Sequence, residues 1–232
     1  MVCFNHYHDS FTLIRLHQIT RRYSDTVTAL DRISLEIAAH EFVAITGPSG
    51  CGKSTLLHLL GGLDVPTTGE LVVDGLALHS AGERELTHYR RHTVGIVFQF
   101  FHLLPTMTVL ENVCLPRLLH GESLRAVKAR AADFLALVGL EDRAAHFPHQ
   151  LSGGQMQRAA IARALIGEPR LLLADEPTGN LDSPSAAQVL DLLQKIASQR
   201  RTTLLVVTHS EDVARLCSRT IRMRDGHILP HS

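Results

Sequence analysis

A chain of 232 residues with 45% apolar side chains can hold one large domain, or a core that carries an inserted subdomain. Lysine plus arginine equals aspartate plus glutamate at 23 each, so net charge gives no argument for a nucleic-acid surface or a polybasic membrane anchor, and no nucleic-acid partner is expected. The cysteines Cys3, Cys51, Cys114 and Cys217 lack C-x-x-C spacing and read as reduced thiols rather than a disulfide frame or a zinc site.

Residues 1–10 lack the basic and apolar regions of a secretory signal. The longest apolar stretches, such as 54–63, fall short of the roughly 20 residues that span a bilayer. The chain is therefore expected to stay in the cytoplasm, with a flexible start in which His6 and His8 are solvated rather than metal-bound. Residues 11–22 and 29–37 read as strands of a small antiparallel sheet. The segment 71–76, Leu-Val-Val-Asp-Gly-Leu, adds a hairpin signal through its Asp-Gly pair.

Five apolar runs that barely alternate, at 42–46, 94–98, 171–174, 203–208 and 220–223, predict strands buried on both faces and hence a mainly parallel sheet. Helical segments at 54–60, 157–165, 184–199 and 211–217 separate most of them, which gives an α/β core. Pro184, after Asp182-Ser183, fits a first helical position. Between Phe98 and Leu151 the strands stop. Thr108 and Glu111 have capping-box spacing there, and Val127, Ala131, Phe134, Leu135 and Val138 share one helical face that Gly139 ends. These signals predict a single domain over 11–232, with a core of about 11–98 and 157–232 and an inserted helical subdomain of about 99–156.

The strand at 42–46 feeds Gly47-Pro48-Ser49-Gly50-Cys51-Gly52-Lys53-Ser54-Thr55, which fits the phosphate-loop pattern G-x-x-x-x-G-K-[ST]. Glycines let backbone N–H groups close on phosphate oxygens, and the N-terminus of the following helix adds positive potential. Lys53 is expected to reach the β- and γ-phosphates of a nucleotide. Ser54 is expected to offer its hydroxyl to Mg²⁺, with Asp175 at the end of a strand as the second protein contact, and Glu176 is the candidate for polarising the attacking water. Leu151-Ser152-Gly153-Gly154-Gln155, ahead of a helical stretch, forms a second anion site from a hydroxyl, glycine amides and a helix N-terminus. One nucleotide does not need two such sites from a single subunit.

In the order of these motifs, from about Leu13 to Leu229, the chain resembles the nucleotide-binding subunits of ABC transporters, a P-loop ATPase family. The resemblance implies ATP and Mg²⁺ as cofactors and a dimer with a second copy or with another ABC ATPase subunit. In that dimer Ser152, Gly153, Gly154 and Gln155 of one subunit close over the γ-phosphate held by the phosphate loop of the other. It implies further that Tyr23 stacks on adenine, that Gln99 senses Mg²⁺ and water, and that Glu176 is the catalytic glutamate. Asp182, in Asn180-Leu181-Asp182, then crosses the dimer interface, and His209 touches the γ-phosphate. An integral membrane permease is the implied partner, received through a coupling helix near Phe100–Leu104 at the cytoplasmic face of the plasma membrane. Phe101 and Leu104, three apart, are expected to share one face there.

A narrower resemblance, in 60–69, in 98–105 with Glu111-Asn112-Val113, and in 174–182, is to lipoprotein-releasing, macrolide-export and cell-division ATPases. It implies export, lipoprotein release or mechanical signalling across the membrane. A soluble ABC-type ATPase unconnected to transport, and a nucleotide sensor that does not hydrolyse, are the alternatives. His40, Cys51, Met156, Ser210 and Cys217-Ser218 depart from residues common in the family. None of them removes a phosphate or Mg²⁺ contact. Cys51 reads either as an inert replacement for serine or as a thiol activated by the nearby helix N-terminus.

Overall fold

The computed structural model describes residues 11–199 and 202–230. The expectations for residues 1–10, including Cys3, His6 and His8, lie outside the described residues. The chain opens with β1 (Thr12–Arg22), β2 (Thr28–Ala38) and β3 (Phe42–Thr46), followed by α1 (Lys53–Leu60), β4 (Thr68–Val73) and β5 (Leu76–Ala77). Next come α2 (Glu83–His92), β6 (Val94–Val97), α3 (Val109–Leu118), α4 (Leu124–Leu137) and α5 (Gly153–Leu165). The remainder is β7 (Leu171–Asp175), α6 (Ser183–Gln199), β8 (Thr203–Thr208), α7 (Glu211–Leu216), β9 (Arg219–Arg224) and β10 (His227–Ile228).

Six strands form one sheet in the order β10-β9-β3-β8-β7-β6, parallel throughout except for β10. Alternate side chains of its central strands feed two separate cores. Val43, Ile45, Leu171, Leu173, Leu205 and Val207 pack with α1 and the smaller sheet. Phe42, Leu172, Ala174, Leu204 and Val206 pack under α3, α4, α5 and α6. Burial on both faces explains why these strands read as unbroken apolar runs. The smaller sheet is antiparallel in the order β2-β1-β4-β5. Its β4–β5 hairpin turns on Asp74 and Gly75 at φ 50° and 80°, the left-handed pair a two-residue turn requires.

The helical layer follows the predicted signals. Thr108 and Glu111 cap α3 reciprocally, Ser123 caps α4, and Gly139 adopts φ 64° just past the end of α4. Helix α2 carried no sequence signal, because only Leu86 and Tyr89 of its ten residues are buried. Those two side chains hold it nevertheless, and the Tyr89 hydroxyl donates to the Leu60 carbonyl at 2.5 Å.

The departures from family residues have local accounts. His40 sits at φ 66°, a backbone conformation that glycine adopts without cost. Ser210 caps α7 by accepting from the Val213 N–H at 3.5 Å. The Ser218 hydroxyl donates to the Phe42 carbonyl at 2.8 Å. The Cys217 thiol, its pKa pushed up to about 12 by burial, donates to the Val213 carbonyl at 3.4 Å. Met156 packs, partly buried, against the core beneath the helical layer.

Candidate nucleotide site

The parallel strands end at one level: Thr46 pairs with Thr208, Asp175 with Val207, and Val97 with Ala174. The segments that leave these ends therefore meet along one edge of the sheet, which is where open α/β sheets place ligands. β3 releases the phosphate loop, β6 releases Gln99, β7 delivers Asp175 and Glu176, and β8 delivers His209. Together they line a cavity of about 580 Å³.

In the loop, Gly52 takes φ 103°, and an added Cβ there would meet the Ala29 carbonyl oxygen at 2.4 Å. Only glycine fits, and the turn starts α1 at Lys53. The Lys53 side chain is 9% exposed, and its ammonium donates to the Gly47 and Pro48 carbonyls at 2.9 Å each. It is thereby bent over the loop, against the cavity wall formed by Pro48, Ser49, Gly50 and Thr55.

Ser54 donates its hydroxyl to Asp175 Oδ1 at 3.5 Å. Burial pushes the Asp175 carboxyl above its ordinary range, and the Glu176 charge adds to this. The Ser54 hydrogen bond, His58 and Lys53 pull the other way. A group whose charged form is disfavoured in this manner gains from a cation beside it. Among the described residues no three His, Cys, Asp or Glu side chains form a metal cage. One hydroxyl and one carboxylate suit Mg²⁺, which takes most of its ligands from phosphates and water.

Glu176 follows β7 at φ 44°, with its N–H donating to the Val207 carbonyl at 2.9 Å. Its carboxylate is held from two directions. His209 Nδ1 lies 2.8 Å from Oε1, and the His209 backbone N–H donates to Oε2 at 3.3 Å. Gln99 lines the same cavity, and Asn180 Nδ2 donates to the Gln99 carbonyl at 3.1 Å. This bond ties the loop after Glu176 to the one after β6.

Some predicted site residues stand elsewhere. The Cys51 side chain turns away from the cavity into the core. It is 3% exposed, and its Sγ lies beneath Gly47, where an added Cβ would come within 2.8 Å. Cys51 thus contributes backbone, not a thiol, to the loop. Ser152, Gly153, Gly154 and Gln155 begin α5 outside the cavity lining. There Ser152 Oγ accepts from the Gln155 N–H at 3.3 Å, and Gln155 Oε1 accepts from the Ser152 N–H at 2.9 Å. Asp182 is exposed at the start of α6, where its carbonyl accepts from the Ala186 N–H at 2.9 Å. Tyr23 is 52% exposed beyond β1, held by Arg21 and Asp64, two residues that no motif singles out.

The segment Phe100–Leu104 is irregular rather than helical, so its spacing of three does not put Phe101 and Leu104 on one helix face. Phe100 is the most exposed of its apolar residues at 65%. Arg163 fixes the backbone by donating to the Phe101 and His102 carbonyls at 2.9 and 2.5 Å. Asn112 brackets Leu104, accepting from its N–H at 2.7 Å and donating to its carbonyl at 3.0 Å.

A family model described as ABC transporter matches residues 30–179, which takes in the phosphate loop, Gln99, Leu151–Gln155 and Glu176. The chain belongs to the ABC transporter family. Relatives among ABC transporter proteins include the ATP-binding protein Rv0986 of Mycobacterium tuberculosis, 48% identical over 87% of this chain and 81% of its own length. The lipoprotein-releasing system ATP-binding protein LolD of Geobacter metallireducens is 44% identical over 94% of this chain and 98% of its own. Among solved ABC cassettes, dimeric MJ0796 matches with a TM-score of 0.86 at 43% identity, over 94% of this chain and 97% of that one. A second MJ0796 dimer, in a post-hydrolysis state bound to ADP and Pi, matches with a TM-score of 0.87 at 42% identity and the same coverage.

Proposed function

We infer that this chain is the ATP-hydrolysing subunit of an ABC transporter, working as a pair that closes around two Mg-ATP and drives a membrane permease. One observation carries the reading. Lys53, Gln99, Asp175, Glu176 and His209 line a single cavity, while the Ser152–Gln155 segment and Asp182 stand outside it. A site that uses all of these groups takes them from two chains, and the dimeric state of the similar MJ0796 cassette supports that arrangement.

ATP lies with its phosphates on the loop N–H groups and the Lys53 ammonium. Bound Mg²⁺ would be held by Ser54 and Asp175, with Gln99 alongside, and supplies neutralisation of charge on the β- and γ-phosphate oxygens. Glu176 orients the attacking water and accepts its proton, and His209 keeps the carboxylate aimed. Ser152 of the opposite subunit binds the γ-phosphate by donating its O–H, which it can do while its oxygen keeps accepting the capping bond from the Gln155 N–H. Closure is thus favoured by nucleotide that touches both subunits, and hydrolysis removes that link.

The LolD relatives support the lipoprotein-release and export branch. No helix among the described residues is long and apolar enough to cross a membrane. Attachment at the cytoplasmic face would therefore run through a permease helix near Phe100–Leu104, where Phe100 and Leu104 expose apolar surface. The single domain reads as a core of about 11–98 and 157–232 with a helical subdomain of about 99–156.

Mixing two inactive variants tests the shared site. Lys53→Ala and Ser152→Ala chains should each lose ATPase activity, while their mixture regains part of it through the one composite site built of intact halves. A mixture no more active than the separate variants would refute composite sites.

A further inference from the structure

Tyr23 begins the turn after β1, and its N–H donates to the Val27 carbonyl at 2.9 Å. Its ring is not loose, although half of its surface is exposed. The phenol hydroxyl donates to Asp64 Oδ2 at 3.0 Å. Arg21, two residues back near the end of β1, grips the same carboxylate at both oxygens. Its Nε donates to Oδ2 at 2.8 Å and its Nη2 lies 2.8 Å from Oδ1. The Arg21 guanidinium also stands over the Tyr23 ring, with Cζ 4.5 Å from the centroid. Asp64 Oδ1 accepts in addition from the Val65 N–H at 2.8 Å, so both oxygens have two partners.

Asp64 belongs to the segment that leaves α1, the helix whose N-terminus forms the phosphate loop. That segment is fixed to both neighbours. The Leu63 N–H donates to the His58 carbonyl at 3.0 Å, the Thr67 N–H to the Thr20 carbonyl at 2.8 Å, and the Arg22 N–H to Thr67 Oγ1 at 3.0 Å. The carboxylate therefore connects an exposed aromatic to the rigid element that carries the triphosphate cradle.

An unsupported surface tyrosine samples several rotamers, and stacking a base on it means giving them up. A ring with its hydroxyl tethered and a guanidinium along one side has already lost that freedom. We propose that Asp64 is a positioning residue for nucleotide binding, which with Arg21 presets the Tyr23 ring as the platform for the base of ATP. The proposal rests on the reading of Tyr23 as that platform. Asp64 touches no nucleotide itself and acts through the ring.

The test compares ATP with inorganic tripolyphosphate, which engages the phosphate loop but offers no base. Both are titrated calorimetrically, with Mg²⁺, into the full chain and its variants. Tyr23→Ala should weaken ATP by about 5- to 150-fold, the loss of one aromatic–base stack, and leave tripolyphosphate unchanged. Asp64→Ala should weaken ATP by about 3- to 10-fold, again without effect on tripolyphosphate, and should add nothing in a Tyr23→Ala background. Tyr23→Phe, which deletes only the hydroxyl, should weaken ATP by about 2- to 3-fold and carries the test if Asp64→Ala does not fold.

An unchanged ATP affinity in Asp64→Ala overturns the proposal. So does equal weakening of both ligands, the mark of a merely structural brace, and so does a full Asp64 effect in the Tyr23→Ala background. If Asp64→Ala does not fold, an unchanged ATP affinity in Tyr23→Phe overturns it instead. ATP affinity unchanged in Tyr23→Ala would instead refute the platform reading itself, whatever Asp64 does.

Discussion

Replacing Glu176 by glutamine isolates the proposed proton-accepting role from the shape of the site. The carboxylate is held by His209 Nδ1 at 2.8 Å and by the His209 N–H at 3.3 Å. A glutamine carbonyl keeps the second bond, and its NH₂ donates to Nδ1 in the tautomer that leaves this nitrogen unprotonated. The geometry thus survives, and basicity is what disappears. General-base catalysis is worth about 10²- to 10⁴-fold. At about 1.36 kcal/mol per tenfold, that raises the barrier by roughly 3–5 kcal/mol. Phosphate release at saturating ATP and Mg²⁺ should fall by that factor, with nucleotide affinity within about threefold of wild type. If, as proposed, hydrolysis is the step that reopens the pair, light scattering in ATP should show the variant accumulating as a dimer. A variant that hydrolyses at the wild-type rate, or one that stays monomeric in ATP at high concentration, would refute the assignment.

Asp175 supports a prediction in pH. Its folded carboxyl sits above the ordinary range, chiefly through burial. Its stabilising contribution is therefore full below the unfolded value and is lost as pH rises through the folded one, after which the folded state carries a disfavoured charge. Asp175→Asn should lose Mg²⁺-dependent hydrolysis yet melt slightly higher than wild type at neutral pH without nucleotide, by no more than about 2 °C because solvent screens the part-exposed carboxyl, an advantage that vanishes in acid. An equal or lower melting temperature at neutral pH would contradict this account. His40→Gly should stabilise by about 0.5 kcal/mol, since relief of the left-handed strain at φ 66° slightly exceeds the entropy glycine adds to the unfolded chain; a lowered melting temperature would count against it. Cys51, at 3% exposure, should resist maleimide in the native chain and react in denaturant. Native inactivation that Cys51→Ser abolishes would restore the activated thiol.

Much of this protein is written in local sequence. The unbroken apolar runs of β3, β6, β7 and β8 declared their strands, because burial on both faces removes the need for alternation; the run at 220–223 did not behave so, since β9 alternates buried Ile221 and Met223 with exposed Arg222 and Arg224. Asp74-Gly75 declared its hairpin and Thr108–Glu111 its helix start, since turns and caps depend on residues close in the chain. The phosphate loop was legible for the same reason, its glycines being demanded by backbone conformation and close approach. Other features needed the tertiary structure. That Cys51 points into the core, beneath Gly47 and among buried side chains, is a matter of packing that no local pattern announces. Helix α2 exists because two side chains find a hydrophobic wall, and its polar composition hid this. The irregular path of Phe100–Leu104 is held by Arg163 of α5 and Asn112 of α3. The pairing of Glu176 with His209 arises because β7 and β8 are adjacent and in register, and the Arg21–Asp64–Tyr23 triangle arises because the segment after α1 returns to the end of β1. Each joins residues far apart in the chain, and strand order and register, rather than any local pattern, bring them within hydrogen-bond reach.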